Sequence, residues 1–318
     1  MKIIKKLLVI TLLSSILSQA QVTETPVNLE DALLWEISGN GLQKSSYLLG
    51  TMHTVGYSFL DAIPGYRKAF LTAKQIAVEC DLFALDSIRT IVKQMPKSYM
   101  LMPQDTTYEM LFNRDDFCFV DSTLKKVTPK YSKFVPEFWN RIFIGKMLTG
   151  NLANHLMEGM DRHLLLIGYQ NNKRICFMET LEDVGRKAEL KDSVGYTIMN
   201  LHYQADILLK TLRYPESTKS FLSAMEKTYR EQNLNRLSID SLCQQVGFDE
   251  PQPTFILDYQ EKFGELIVDI RNEEWMANIL SMIKIDSSLI AIGAMHLIGE
   301  NGLICKLRKL GYVVEPVR

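Results

Sequence analysis

The fold is decided by Leu289–His296, which reads LIAIGAMH, and by an earlier stretch of the same pattern, Leu48–His53, which reads LLGTMH. In both, an apolar run stops at a glycine, and a small residue, a methionine and a histidine follow. Short apolar runs of this kind, closed by a turn residue, are typical of buried strands. The recurrence predicts that two strands from opposite ends of the chain deliver their histidines to one site. The glycines are expected to let a substrate backbone approach the sheet closely, because they lack a Cβ.

Further apolar runs extend this pattern. Ile76–Val78 stops at Glu79, and Ile175–Met178 stops at Glu179. The remaining predicted strands are Leu34–Ser38, Ser46–Met52, Leu289–Ile292 and Tyr312–Val314. The sequence therefore predicts an α/β fold, with α+β as the alternative, in which one central sheet is assembled from N-terminal, middle and C-terminal strands.

Helical spacing of apolar residues dominates the intervals between these strands. This spacing extends over about residues 82–166 and 184–282. One clear apolar face consists of Phe221, Leu222, Met225 and Tyr229. Such a stripe is typical of a core-facing helix. We therefore expect a single domain over residues 21–318 that carries a large helical lobe, at a length near the upper limit for one hydrophobic core.

The first twenty residues have the features of a secretory signal peptide. Three lysines precede an apolar run, Leu7–Leu17, and Ser18-Gln19-Ala20 forms a cleavage site of small residues. This predicts cleavage near Ala20 and a periplasmic or secreted protein, with no membrane span in the mature chain.

Composition narrows the class of partner. The net charge is −1, and no basic block is interleaved with aromatic residues, so nucleic acid is not an expected partner. The five cysteines form neither a CxxC pair nor another metal-ligand spacing, and their odd number does not suggest a full disulfide framework.

Four strand ends therefore bear residues suited to chemistry: His53, Glu79, Glu179 and His296. In open α/β sheets, ligands bind in the crevice beyond the carboxyl ends of the strands. If the four strands are parallel neighbours, these side chains converge there. Two imidazoles with one or two carboxylates suit Zn²⁺, Mn²⁺ or Co²⁺. The alternative for each residue alone is a hydrogen-bonded structural role, and we expect only that role for the chain's other three histidines, His155, His163 and His202.

The chain resembles the TraB/PrgY/GumN family, which includes the Tiki proteins. The matching segments are LLGTMH and AIGAMHLIGENGL, then AVECD, GMDRHL followed by ICFMET, and DIRNEEW. They occur in the family's order and cover nearly the whole mature chain. The resemblance implies an α/β fold related to the erythromycin-esterase and ChaN-like proteins, and, for the Tiki branch, metal-dependent proteolysis of peptide or protein substrates.

Carried over residue by residue, the resemblance places His53 and His296 in the two histidine motifs and Glu79 in the first glutamate motif. We expect these residues to hold a divalent metal, Mn²⁺, Co²⁺ or Zn²⁺, that activates water for hydrolysis.

Three further residues match family motifs. Glu179 is the second acid, which we expect to act as general base. Arg271 and Asn272 match a polar pair that would stabilise the oxyanion or orient the substrate. The competing hypothesis is a non-catalytic binding protein that takes haem, iron or a peptide on the same fold.

Overall fold

The computed structural model describes residues 30–81, 100–149, 159–187, 200–246, 264 and 268–318. The predicted signal peptide lies outside the described residues, as do His155 and parts of the predicted helical lobe.

A six-stranded sheet forms the centre of the molecule. Its strands are β1 (Leu34–Gly39), β2 (Ser46–Thr51), β3 (Gln75–Val78), β4 (Arg174–Phe177), β5 (Ser288–Gly293) and β6 (Tyr312–Pro316). The order across the sheet is β4-β3-β5-β2-β1-β6. The pairs β4/β3, β3/β5 and β5/β2 are parallel, and β1 is antiparallel to both β2 and β6. The predicted α/β fold is confirmed, with strands from the beginning, middle and end of the chain in one sheet.

Burial follows from position in the sheet. Every residue of β2 is buried, and β5 is buried except at its last residue, as expected for strands covered on both faces. The edge strand β6 alternates buried and exposed residues, because one of its faces meets solvent. The two strands that end in the histidine motifs are therefore central neighbours, and Leu48 pairs with Ile290.

Eleven α-helices surround the sheet within the described part of the chain. They are α1 (Tyr66–Thr72), α2 (Tyr108–Leu111), α3 (Arg114–Lys125), α4 (Pro136–Thr149), α5 (Met160–Gln170), α6 (Leu181–Lys187), α7 (Leu201–Arg213), α8 (Pro215–Arg230), α9 (Ile239–Val246), α10 (Ile270–Ile285) and α11 (Leu303–Lys309). None of the helices in these described ranges is long and apolar enough to cross a bilayer.

The helical part contains a hydrophobic cluster separate from the core of the sheet. Its buried members are Tyr108, Val120, Leu124, Tyr131, Val135, Phe138, Trp139 and Leu208. Helix α8 packs instead on the core of the sheet through the predicted stripe of Phe221, Leu222, Met225 and Tyr229, all of which are buried. This helix therefore brings the helical lobe against the end of the sheet where the motif histidines lie.

Candidate active site

The four predicted residues follow four adjacent parallel strands. His53 comes after β2, Glu79 directly after β3, Glu179 after β4, and His296 lies in the 3₁₀ turn Ala294–Leu297 after β5. The pairing of β3 and β4 continues past their last residues, because the Glu179 N–H donates to the Glu79 carbonyl at 3.0 Å. The four strands are therefore parallel neighbours, as the prediction that these four side chains lie close together requires.

His53 is held by a carboxylate from a helix. Its Nδ1 lies 2.8 Å from Oδ2 of Asp161, in the first turn of α5, and the Thr51 hydroxyl donates to the other carboxylate oxygen at 2.9 Å. An ionised carboxylate only accepts hydrogen bonds, so in the neutral ring Nδ1 carries the proton and Nε2 has the lone pair. This Nε2 is buried, and no described residue forms a hydrogen bond with it.

The charge of Asp161 also sets the protonation of His53. Burial alone lowers the pKa of the imidazole, because the charged form loses solvation. The Asp161 charge and hydrogen bond, with a smaller contribution from Glu79, outweigh burial and raise the pKa of His53 above its usual value.

His296 is held by an amide instead of a carboxylate. Its Nδ1 lies 2.7 Å from Oδ1 of Asn272, which only accepts, so Nδ1 is the donor. The Asn272 amide nitrogen donates to the carbonyls of His296 (3.2 Å) and Asn301 (2.9 Å). Burial, and then the Arg271 guanidinium, lower the pKa of His296 to about 3, so the ring is neutral at physiological pH. Asn272 therefore positions His296, and both oxygen and nitrogen of its amide are engaged in doing so.

Arg271, the first residue after the start of α10, lies at the centre of the cluster. Its Nη2 donates to Oε2 of Glu79 at 2.6 Å, and its Nε donates to Oε1 of Glu179 at 2.8 Å. Its Nη1 donates to Nε2 of His296 at 3.2 Å, and the guanidinium packs 4.5 Å from the centre of the Trp275 ring. Burial lowers the pKa of Arg271, but the two carboxylates more than offset this and raise it, so the cation persists.

The motif glycines make room for protein atoms. The Gly293 N–H donates to Oε1 of Glu79 at 2.7 Å, and a Cβ at Gly293 would lie 3.2 Å from that oxygen. A Cβ at Gly50 would lie 2.9 Å from Leu297 Cδ1 and 3.2 Å from Ala294 Cα. We expected the glycines to make room for a substrate backbone. In the structure, the space beside them is filled by the other histidine motif at Gly50 and by the Glu79 carboxylate at Gly293.

Glu79 remains an anion in this environment. Burial raises the pKa of its carboxyl, but the Arg271 guanidinium, with smaller contributions from the neighbouring histidines and the Gly293 N–H, holds it well below the usual range.

Glu179 is the most engaged carboxylate of the cluster. Besides Arg271, it accepts from Nζ of Lys187 at 2.6 Å, and Lys187 also pairs with Glu274 at 2.6 Å. Both carboxylate oxygens of Glu179 thus accept from cationic donors, which holds Arg271 and Lys187 in place, and its role as general base stays a prediction.

A pocket lies beside the two histidines. Its walls are formed by Thr51, Met52, His53, Met225, Tyr229, Leu237, Gly293, Ala294, Met295 and His296. Both histidine motifs therefore face one cavity, and α8 and the turn after it supply the opposite wall.

The sequence profile of the TraB/PrgY/gumN family matches residues 33–316. The chain belongs to this family. Comparison with curated proteins and with solved structures gives no match. Each residue of the cluster in this family member lies inside the matched range.

The cluster of this family member contains donor atoms of the types that bind the divalent metal implied by the resemblance. His53 and His296 both hold Nδ1 on an oxygen acceptor, which is how proteins orient imidazole ligands, and Oε1 of Glu79 lies 3.9 Å from Nε2 of His296. Within the described ranges, no group of three or more His, Cys, Asp or Glu has metal-binding spacing. The donor types fit a divalent ion, but ligation by His296 requires Arg271 Nη1 to withdraw from Nε2.

Sequence reasoning missed two members of the cluster. Asp161 is part of the matching segment GMDRHL. An acidic residue in the first turn of a helix commonly stabilises the helix, so its position alone does not indicate a functional role. Lys187 lies on α6, eight residues after Glu179, with nothing local to mark it. The one available signal for Asp161 was the glycine two residues before it, which starts the helix beside the His53 loop and pairs with Gly56.

Proposed function

We propose that this family member is a metal-dependent hydrolase that cleaves peptide or protein substrates. One observation carries the proposal: His53 lines a pocket together with His296, its Nδ1 is held by Asp161, and its buried Nε2 has no hydrogen-bond partner among the residues that the structure describes. A buried polar atom left unpaired costs free energy, and in this proposal a bound ion is the partner of this nitrogen.

In this proposal His53 and His296 hold the ion through Nε2, and Glu79 is the carboxylate ligand. When bound, a divalent ion lowers the pKa of a water molecule and polarises the scissile carbonyl. Asp161 and Asn272 keep the Nδ1 protons in place, so each Nε2 keeps its lone pair for the ion.

Arg271 would serve two purposes. It neutralises the buried Glu79 and Glu179, and its Nη1 is the donor nearest His296 Nε2, so on leaving that nitrogen it could donate to a substrate oxygen. Asn272 acts through His296, because its amide group is fully engaged. The proposal places the protein outside the cytoplasm, in the periplasm or secreted, which the N-terminal residues support.

The test is metal content and cleavage measured on the same samples. Mature protein would be incubated with Zn²⁺, Mn²⁺ or Co²⁺, desalted, and examined by elemental mass spectrometry and with an unstructured protein substrate. We expect near-stoichiometric metal and metal-stimulated cleavage in the wild type, and neither in His53→Ala or His296→Ala. His163→Ala is the matched control, because that ring stacks on Tyr57 at 4.1 Å and lies outside the cluster.

The alternative function gives different results. Retained cleavage in either cluster variant would refute the assignment of the ligands. A Soret band on haem titration, or peptide binding without cleavage, would establish a binding protein instead of a hydrolase.

A further inference from the structure

We infer that the pocket beside His53 and His296 is a subsite for one apolar side chain of the substrate, and that the helical lobe sets its specificity. The inference rests on the proposed function, since it names the residue class recognised next to the bond that is cleaved.

The walls of the pocket are apolar apart from the histidines, Thr51 and the Tyr229 hydroxyl. Met52 and Met295 come from the two histidine motifs, and Met225 and Leu237 come from α8 and the 3₁₀ turn Leu234–Leu237. Methionine side chains are unbranched and polarizable, so they adapt to apolar groups of different shape.

The other polar side chains that line the pocket are already paired. The Tyr229 hydroxyl donates to the Gly50 carbonyl at 2.8 Å, which leaves its ring to the pocket. The Thr51 hydroxyl donates to Asp161 at 2.9 Å. With Nε2 of His53 assigned to the ion, a polar substrate side chain would lose its bonds to water without finding replacements among these side chains, whereas an apolar one would only lose contact with water.

The location of the pocket links this selectivity to the chemistry. His53 and His296 belong to its wall, so an apolar side chain held there places the adjoining peptide bond beside the two imidazoles. The sheet thus supplies the reacting groups and the helical lobe supplies the selecting wall. From the discrimination that apolar pockets achieve, we expect Leu, Met or Phe to be preferred over Asn or Asp by roughly 10- to 100-fold.

The 3₁₀ turn offers a matched pair of variants. Leu237 and Leu234 are both buried, at 2% and 0% exposure, but only Leu237 lines the pocket. We expect Leu237→Ala to shift the preference towards Phe and Trp, and Leu237→Phe to shift it towards Ala and Val. Leu234→Ala destabilises the same turn without changing the profile.

Profiles would be measured by mass spectrometry on a mixture of unstructured peptides that presents every residue type, with Mn²⁺, Co²⁺ or Zn²⁺ added. Cleavage without apolar preference, or a profile that Leu237→Ala and Leu237→Phe leave unchanged, would overturn the inference while leaving the hydrolase intact.

A second measurement separates the two proposals. Saturation-transfer NMR with N-acetyl-leucinamide and N-acetyl-asparaginamide needs neither metal nor turnover. Binding of the leucine amide alone, altered by Leu237→Ala but not by Leu234→Ala, would support the subsite even if no peptide is cleaved, in which case only the hydrolase proposal fails. Equal binding of both amides, or of neither, would refute the subsite.

Discussion

Replacing Arg271 with methionine removes the cation at the centre of the cluster and keeps an apolar side chain on Trp275. The Arg271 side chain is 10% exposed, and it serves Glu79 and Glu179, whose side chains are only 4% and 2% exposed. In the variant, Glu179 keeps Lys187 as a cationic partner, but Glu79 keeps only the Gly293 N–H of the contacts described above. Of the two carboxylates, Glu79 would then lose the cation that contacts it, while staying buried.

The loss of stability follows from that imbalance. Removing one partner of a buried ion pair costs about 3–5 kcal/mol, because the remaining charge stays desolvated. A whole domain is stable by about 5–15 kcal/mol, so this loss is easily resolved by urea unfolding followed by circular dichroism in metal-free buffer. Arg230→Met is the control, because Arg230 and its partner Glu226 are 44% and 31% exposed and such pairs contribute at most about 1 kcal/mol.

A rescue distinguishes lost charge compensation from lost packing. Adding Glu79→Gln and Glu179→Gln to Arg271→Met removes the two anions, and we expect most of the lost stability to return, because neutral side chains need no buried cation. If Arg271→Met loses no more than the Arg230 control, or if the two glutamines restore nothing, Arg271 does not hold the cluster together by charge.

Three further changes test neighbouring contacts. Asp161→Asn removes the charge that raises the pKa of His53, so NMR titration of that ring should give a lower pKa, and metal affinity should fall about 10- to 100-fold; an unchanged titration would contradict the pairing. Gly50→Ala places a Cβ 3.2 Å from the Ala294 backbone and should cost about 1–3 kcal/mol in urea unfolding, and a neutral result would show that the two motifs do not pack closely. Tyr229→Phe leaves the Gly50 carbonyl without its 2.8 Å donor and should cost about 1 kcal/mol by the same assay; wild-type stability would mean that this hydrogen bond is not formed.

The strand ends could be predicted because their signal is local. An apolar run that stops at a polar residue marks both the strand and its carboxyl end, as at Glu79 and His296, and the parallel order of β4, β3, β5 and β2 then brings these ends together. The contacts of Glu179 and Asn272 were not predictable in the same way. They depend on Lys187 and on the orientation of His296, and no spacing along the chain shows which donor will meet which acceptor.

The sequence by itself determined the strands, the helical stripe of α8 and the family to which the chain belongs, because each depends on the order of residue types along the chain. Only the tertiary structure decided that Asp161 meets His53 across 108 residues, and that Arg271 meets Glu79 across 192. The physical reason is that buried charges must find partners wherever the sheet register and helix packing place them. Those positions follow from the packing of the whole chain and not from any one segment of it.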